Sequence, residues 1–206
     1  MIDAALLPLQ RSALARPARW LAARGVAADA ITVTGFAVGV LALPALAVGW
    51  YLLALGLILM NRLADGLDGA VARASGQASD RGAFLDIALD FVFYALVPLG
   101  FALADPAQNA LAAAVLIAGF VGTGSSFLAF SAVAGRRGQR SLRYPSKGIA
   151  YLGGLTEGFE TIVFFVLICL LPQWFAPLAY AFAAACAVTT VTRWIVGWRA
   201  FSEGGR

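Results

Sequence analysis

Histidine is absent from this sequence, and charged residues make up only 13% of its 206 positions. The absence of histidine excludes the commonest general base and the commonest transition-metal ligand. Only two cysteines occur, Cys169 and Cys186, and both lie in apolar segments without metal-ligand spacing. Any acid–base or metal chemistry must therefore depend on carboxylates.

The shortage of charge also excludes an ordinary soluble domain, in which charged residues make up about 25% of the chain. Apolar residues account for 61% of the sequence and its mean hydropathy is +0.83. Uncharged runs longer than 18 residues are typical of transmembrane helices. The sequence therefore predicts an all-α membrane protein of about six spans, near residues 31–48, 51–73, 82–104, 108–134, 148–171 and 176–198.

The basic residues predict the orientation of these spans. All 15 lysines and arginines fall on one side of the predicted topology or in the half-helices that adjoin it. By the positive-inside rule that side, with both termini, is cytoplasmic, and we expect the bacterial inner membrane. The net charge of +4 therefore belongs to one membrane face, which suits anionic membrane lipids and not nucleic acid.

The flanks of the membrane domain differ from its centre. We expect residues 1–28 to form a juxtamembrane segment containing an N-terminal interfacial amphipathic helix, because leucines alternate there with arginines. Residues 29–200 form the predicted six-helix domain, and residues 201–206 a polar tail.

Four carboxylates cluster where the second span ends and the third begins. Asp65 and Asp68 share one helical stripe, and Asp86 and Asp90 share a face of the next helix because they are four residues apart. The connection 74–81 is short and polar, so the two helices should be antiparallel neighbours. The sequence therefore predicts four carboxylates in one pocket near the cytoplasmic interface.

A purely structural role for these acids is the alternative. A charged residue inside a span costs about 2.5–3.5 kcal/mol on insertion scales, and Arg62 and Arg73 could offset only part of that cost. Divalent cations offset this insertion cost better, and a ligand set made only of oxygen atoms suits Mg²⁺, Mn²⁺ or Ca²⁺. A pair of metals held by carboxylates is a known arrangement for phosphoryl transfer.

The spacing of these residues resembles a family signature. The pattern Asp65-x2-Asp68-Gly69-x2-Ala72-Arg73-x8-Gly82-x3-Asp86-x3-Asp90 is similar to that of the CDP-alcohol phosphotransferases at all eight fixed positions. The resemblance implies metal-assisted transfer from a CDP-activated donor to an alcohol, and a homodimer. It also implies two divalent cations, Mg²⁺ in preference to Mn²⁺.

The resemblance implies roles for individual residues as well. Asp65, Asp68, Asp86 and Asp90 would hold the metals, and Asp90 would also act as the general base. A second set would bind the nucleotide, namely Gly69, Ala72, Arg73, Asp29, Thr32 and Ser79. Asp29 departs from the family, in which asparagine is common at this position.

Two further groups of residues are candidates for the acceptor pocket. Glu157 and Glu160 lie within the predicted fifth span, where charged residues are usually functional, although pairing with Arg193 is the structural alternative. The basic loop that precedes this span is the other group, with Arg136, Arg137, Arg140 and Lys147. Setting the topology is the ordinary role of such a loop.

Three functions remain open from the sequence. The first is transfer of a phosphatidyl group from CDP-diacylglycerol to a small polar alcohol with release of CMP. The second is a CDP-amino-alcohol phosphotransferase that acts on a lipid hydroxyl. The third, from another class, is a divalent-cation transporter, which predicts acids spread through the midplane and broken helices.

Overall fold

The computed structural model describes residues 2–137 and 154–202, with side chains from residue 11 onward. This part of the chain is helical and contains no strand. Eight α-helices follow one another along it, namely α1 (Ile2–Ala23), α2 (Ala28–Val40), α3 (Ala42–Ala47), α4 (Tyr51–Ser75), α5 (Asp80–Ala104), α6 (Pro106–Arg136), α7 (Gly158–Leu170) and α8 (Phe175–Ser202).

Within residues 2–137 and 154–202, four helical segments are long and apolar enough to cross a membrane, namely Ala28–Ala47, Asp80–Ala104, Pro106–Arg136 and Pro172–Ser202. The predicted all-α membrane class is therefore confirmed. Helix α4 has 25 residues but carries several charges in its second half, and α7 has only 13 residues. Spans at these two helices, and the total of six, stay predictions.

The first two predicted spans, near residues 31–48 and 51–73, are joined by a tight turn. The chain leaves α3 at Ala47, turns at Gly49 with a φ of +77°, and enters α4 at Tyr51. A positive φ is readily adopted only by glycine, so Gly49 sets this reversal. Trp50 and Trp174 are both exposed at the turns that precede α4 and α8, as expected of aromatic residues at a membrane interface.

Aromatic side chains fill the centre of the helix bundle. Phe93 and Phe101 of α5 are fully buried, and the ring of Phe101 stacks on that of Phe175 at a centroid distance of 4.4 Å. Phe165 of α7 meets the Phe93 ring edge-on at 6.3 Å. Because Phe93 lies one turn beyond Asp90 in α5, this apolar core forms the floor beneath the predicted acidic pocket.

Glycines let α2 pack closely against α4. A Cβ added at Gly39 would lie 2.8 Å from Asn61 Nδ2 and 2.9 Å from the Phe93 ring, and one at Gly35 would overlap Ala64. The Gly35-x-x-x-Gly39 pattern is therefore a helix contact. Gly122 of the long helix α6 likewise lies close to Thr190 of α8.

The predicted fifth span is wrong over residues 154–157. These residues are not helical, and α7 begins only at Gly158. The helix begins there because Glu157 and Glu160 form a capping box, in which each side chain accepts a hydrogen bond from the other's backbone N–H. The two glutamates therefore lie at the start of α7 and not in the middle of a continuous fifth helix.

Helix α1 covers most of the predicted juxtamembrane segment and packs against α4. It runs without a break through Pro17. Its position at the membrane interface stays a prediction. At the other end of the chain, α8 continues to Ser202, so the helix includes the first part of the predicted polar tail.

Candidate active site

The second half of α4 and the first half of α5 supply the acidic residues. Helix α4 ends at Ser75, and Gly76 follows with a φ of +69°, the left-handed C-cap that glycine favours. Helix α5 begins after Ser79, whose hydroxyl accepts a hydrogen bond from Gly82 N at 3.1 Å. These two caps produce a short connection, so the two acidic half-helices lie side by side.

The structure brings all four predicted carboxylates to one cavity. Asp65, Asp86 and Asp90 each place an oxygen within 4.8 Å of the others. Asp68 lines the same cavity, and the remaining lining residues are Thr32, Phe36, Asn61, Arg62 and Leu89. A set of carboxylate oxygens at this spacing fits a divalent hard cation. Ligation of a metal by each individual aspartate stays a prediction.

Asp68 is the most buried of these acids, at 5% exposure. Its Oδ2 accepts a hydrogen bond from the Thr32 hydroxyl at 2.5 Å. Thr32 lies on α2, so this contact connects the first membrane helix of the domain to the acidic cavity. The predicted nucleotide contact Thr32 therefore lies directly at the carboxylates.

Arg62 provides the positive charge within the cavity. Its Nη2 donates to Asp90 Oδ1 at 2.7 Å, and its Nη1 lies 3.9 Å from Asp65 Oδ2. A third contact is the Tyr94 hydroxyl, 3.2 Å from Nη1. The guanidinium also lies 4.7 Å above the centre of the Phe93 ring. Arg62 therefore connects the carboxylates of the cavity to the aromatic core of the bundle.

Asn61 fixes the other side of the Arg62 guanidinium. Asn61 Oδ1 accepts from Arg62 Nε at 2.8 Å and from Nη2 at 2.6 Å, and Asn61 Nδ2 donates to the Gly35 carbonyl at 3.0 Å. Both side chains are buried. Sequence reasoning treated Arg62 only as a partial charge offset and missed Asn61. The available signal was the position of Arg62, one helical turn before Asp65.

The other predicted nucleotide residues lie around the rim. Arg73 is exposed and folds back over Gly69, where an added Cβ would lie 3.2 Å from Arg73 Nη1. Ala72 is half-buried. None of these three residues is among the described residues that line the acidic cavity. They occupy the outer end of the same helix, which is compatible with contact to a larger ligand.

Asp29 lies beside the start of α5. Its Oδ2 accepts from Arg81 Nε at 2.9 Å, and Arg81 is 80% exposed. An added Cβ at Gly82 would lie 3.1 Å from Asp29 Oδ1 and 3.4 Å from Ser79 Oγ. The absence of a side chain at Gly82 therefore leaves room for Asp29 and Ser79, two predicted nucleotide contacts. Their role toward a nucleotide stays a prediction.

The predicted acceptor glutamates lie at the start of α7. Glu157 is buried, and its Oε1 accepts a hydrogen bond from Gly154 N at 2.8 Å. Glu160 Oε2 accepts from Glu157 N at 3.2 Å. Arg193 is close by, since an added Cβ at Gly154 would lie 3.3 Å from its Nη2. Neither glutamate is among the described residues that line the acidic cavity.

The predicted basic group is only partly described. Arg136 is exposed at the end of α6. Arg137 Nη2 donates to the Phe201 carbonyl at 2.8 Å, and its guanidinium lies 5.1 Å from the Phe201 ring centre. This contact joins the ends of α6 and α8. Arg140 and Lys147 lie outside the described residues.

Comparison with known proteins decides the family. Residues 25–198 match the sequence profile described as CDP-alcohol phosphatidyltransferase. The chain belongs to this family. The resemblance seen in the signature is thereby confirmed, and the chain is a CDP-alcohol phosphatidyltransferase by enzyme class. The cation-transporter alternative is not favoured.

Two curated relatives share sequence with this CDP-alcohol phosphatidyltransferase. The inner membrane protein YnjF of Escherichia coli is 56% identical over 193 residues, which cover 94% of this chain and 93% of that protein. The archaetidylinositol phosphate synthase of Pyrococcus horikoshii is 33% identical over 96 residues, which cover 47% of this chain and 51% of that protein.

Solved structures share the fold of this phosphatidyltransferase. A crystal structure of the Mycobacterium tuberculosis phosphatidylinositol phosphate synthase PgsA1 with CDP-DAG bound has a TM-score of 0.65 at 22% identity, covering 90% of this chain and 93% of that one. The same enzyme in complex with manganese and citrate has a TM-score of 0.67 at 23% identity, with coverage of 90% and 88%.

Proposed function

We propose that this enzyme transfers the phosphatidyl group of CDP-diacylglycerol to a small polar alcohol and releases CMP. The observation that carries the proposal is the cavity in which Asp65, Asp86 and Asp90 converge within 4.8 Å at the family signature. The structural neighbour PgsA1 holds CDP-DAG in a fold that covers 90% of this chain. A donor with lipid tails and a soluble nucleotide head suits a site at the end of membrane helices.

Two divalent cations, Mg²⁺ in preference to Mn²⁺, are the proposed cofactors. Asp65, Asp68, Asp86 and Asp90 would hold them. Divalent metal binding has further support in the manganese complex of PgsA1. When bound, the cations would neutralise the donor diphosphate and stabilise the departing CMP.

Asp90 is the proposed general base. Its carboxylate takes the proton of the acceptor hydroxyl while the alcohol oxygen forms a bond to the phosphorus that carries diacylglycerol. The bond from that phosphorus to the oxygen of CMP breaks in the same displacement, so CMP leaves with the bonding electrons. We favour this single step because the signature supplies no side-chain nucleophile with an adjacent base.

The nucleotide half of the donor would lie along the outer part of the site. Arg73 offers a planar charged fork to the diphosphate, beside Gly69 and Ala72. Thr32 reaches the cavity directly, through its 2.5 Å hydrogen bond with Asp68. Asp29 and Ser79 complete the proposed pocket at the start of α5.

The acceptor would enter from the side of α7. Glu157 and Glu160 favour a cationic or polyhydroxyl alcohol, whose groups a carboxylate can bind. An acceptor phosphate would instead use the basic group of Arg136, Arg137, Arg140 and Lys147. The capping contacts of both glutamates do not prevent this role, because a carboxylate oxygen accepts more than one hydrogen bond.

The proposed location is the bacterial inner membrane, with both termini and the active site facing the cytoplasm. Arginines in the last turns of α4, α6 and α8 support this orientation by the positive-inside rule. The name of the E. coli relative also supports the inner membrane. A homodimer stays a prediction.

The proposed function is tested by CMP release. The protein, purified in detergent with CDP-diacylglycerol, is assayed against a panel of alcohols with Mg²⁺ or Mn²⁺. We expect metal-dependent CMP release that requires one class of small polar alcohol, with a phospholipid as the second product. If a CDP-amino alcohol reacts with a lipid hydroxyl instead, the donor and the acceptor proposed for this enzyme are wrong.

A further inference from the structure

Arg62 is a buried cation at the acidic cavity, and the signature gives it no role. Its side chain is 7% exposed. Its guanidinium contacts Asp90 on α5, its neighbour Asn61 on α4 and Tyr94 on α5. A buried guanidinium with contacts on this many sides is held in one orientation, whereas the guanidinium of an exposed arginine can adopt many.

We propose that Arg62 is a positioning residue that holds the Asp90 carboxylate in its working orientation. The inference rests on the proposed function, because it assigns the geometry of the general base in that reaction. The 2.7 Å bond from Arg62 Nη2 occupies Oδ1 of Asp90. Rotation of this carboxylate away from Asp65 and Asp86 would break a charge-assisted hydrogen bond in a partly buried place.

The support for Arg62 extends to the backbone of α2. Asn61 Nδ2 donates to the Gly35 carbonyl at 3.0 Å, so Asn61 Oδ1 is turned toward Arg62. That oxygen receives both Nε and Nη2 of the guanidinium, at 2.8 and 2.6 Å. Gly39 leaves room for the Asn61 amide, since an added Cβ would lie 2.8 Å from it. A chain of contacts thus runs from α2 through Asn61 and Arg62 to Asp90.

The rings of Phe93 and Tyr94 support the other side of the Arg62 guanidinium. The centres of the Phe93 and Tyr94 rings lie 4.7 and 5.2 Å from its central carbon. Rings at these distances attract a cation over their faces. The Tyr94 hydroxyl adds a contact at 3.2 Å. A lysine at this position would keep the positive charge. Its compact ammonium group could not contact Asn61, Asp90 and Tyr94 together, as the planar guanidinium does.

Positioning and metal ligation predict different results for the same variant. Arg62 is a cation that faces the carboxylates, so its loss removes a competitor of the metal for these oxygens. Loss of a ligand lowers metal affinity and turnover together. Loss of Arg62 should lower turnover alone, and metal affinity should stay constant or rise.

The experiment measures both quantities on four variants. Mn²⁺ binding to the full-length, substrate-free protein is followed by the EPR signal of free Mn²⁺, and kcat and KM are measured by CMP release. For Arg62→Gln we expect kcat to fall about 10²-fold, the loss typical of a 1 Å misplacement, with the donor KM changed little. The Mn²⁺ Kd should be equal to or lower than that of the wild type.

The other variants separate orientation from charge. Arg62→Lys should not restore turnover, because it keeps the charge without the fork. Tyr94→Phe removes only a hydroxyl, so we expect about a fivefold loss of kcat, which corresponds to one hydrogen bond. Its thermal unfolding temperature should be unchanged. Arg19→Gln, on the exposed face of α1, is the matched control and should behave as the wild type.

Several results would overturn the proposal. These are a wild-type kcat in Arg62→Gln, full rescue by Arg62→Lys, or a loss of Mn²⁺ affinity parallel to the loss of turnover. If Arg62→Gln does not fold, a wild-type kcat in Tyr94→Phe rejects the proposal. If the wild type itself releases no CMP, the proposed function fails separately, and weakened Mn²⁺ binding in Arg62→Gln would still reject the role of Arg62.

Discussion

Replacing Asp90 with asparagine separates its role as a base from its role as a ligand. Asparagine has nearly the same volume as aspartate and can still accept a hydrogen bond from Arg62, but it cannot take the proton of the acceptor hydroxyl. Removal of a general base costs about 10² to 10⁴-fold in rate, and we expect kcat for CMP release to fall within this range. Donor binding should persist, because three carboxylates remain in the cavity.

The expected change in stability is small because two effects oppose each other. The 2.7 Å bond to Arg62 loses its charge on the acceptor side, and a charged hydrogen bond contributes about 1 kcal/mol more than a neutral one. Repulsion from Asp65 and Asp86, within 4.8 Å, is relieved at the same time. We therefore expect the thermal unfolding temperature, measured by tryptophan fluorescence, to change by only a few degrees.

A matched control for this variant is Asp105→Asn. Asp105 caps α6 by accepting from Gln108 N at 3.1 Å, and it lies at the end of α5 away from the acidic cavity. Asparagine caps a helix as well as aspartate does, so this variant should keep full activity. A near-wild-type rate for Asp90→Asn, with Asp86→Asn inactive, would show that the base is assigned to the wrong residue.

Four other substitutions test the metal site, the acceptor pocket and the packing of α2. Asp65→Asn and Asp68→Asn should each lose metal affinity and turnover together, and full activity in excess chelator would refute the metal site. Glu157→Gln should raise the KM of the acceptor much more than that of the donor; a lower unfolding temperature with both KM values unchanged would assign Glu157 to capping alone. Gly39→Ala should lower stability by about 1–3 kcal/mol, because the added methyl overpacks against the Asn61 amide, and wild-type thermal stability would contradict that close packing.

The acidic cavity could be predicted from sequence because its geometry is local. Asp65 and Asp68 lie on one helical face, as do Asp86 and Asp90, and a short connection makes the two helices neighbours. Each of these steps depends only on spacing. The four carboxylates therefore meet where the pattern placed them, at one cavity.

The role of Arg62 could not be predicted in this way. Its contacts with Asp90 and Tyr94 are 28 and 32 residues away in sequence. They depend on how far α4 and α5 are rotated about their axes, which hydropathy does not determine. Asn61 depends in the same way on the approach of α2 at Gly35 and Gly39, which brings the Gly35 carbonyl within 3.0 Å of Asn61 Nδ2.

The start of α7 shows a different limit of prediction from sequence. An apolar run predicts a span, but it does not say where the helix begins within the run. The Glu157 and Glu160 pair, three residues apart, is a capping box. Inside an apolar run the same pair also fits buried functional acids, so its spacing alone does not locate the start of α7.

The most direct test of the central claim is an anomalous difference map from crystals of the enzyme grown with Mn²⁺ and CDP-diacylglycerol. We expect two Mn²⁺ peaks enclosed by Asp65, Asp68, Asp86 and Asp90, with the donor diphosphate against them. Full donor density without a peak among these carboxylates, or with Mn²⁺ bound elsewhere, would contradict it.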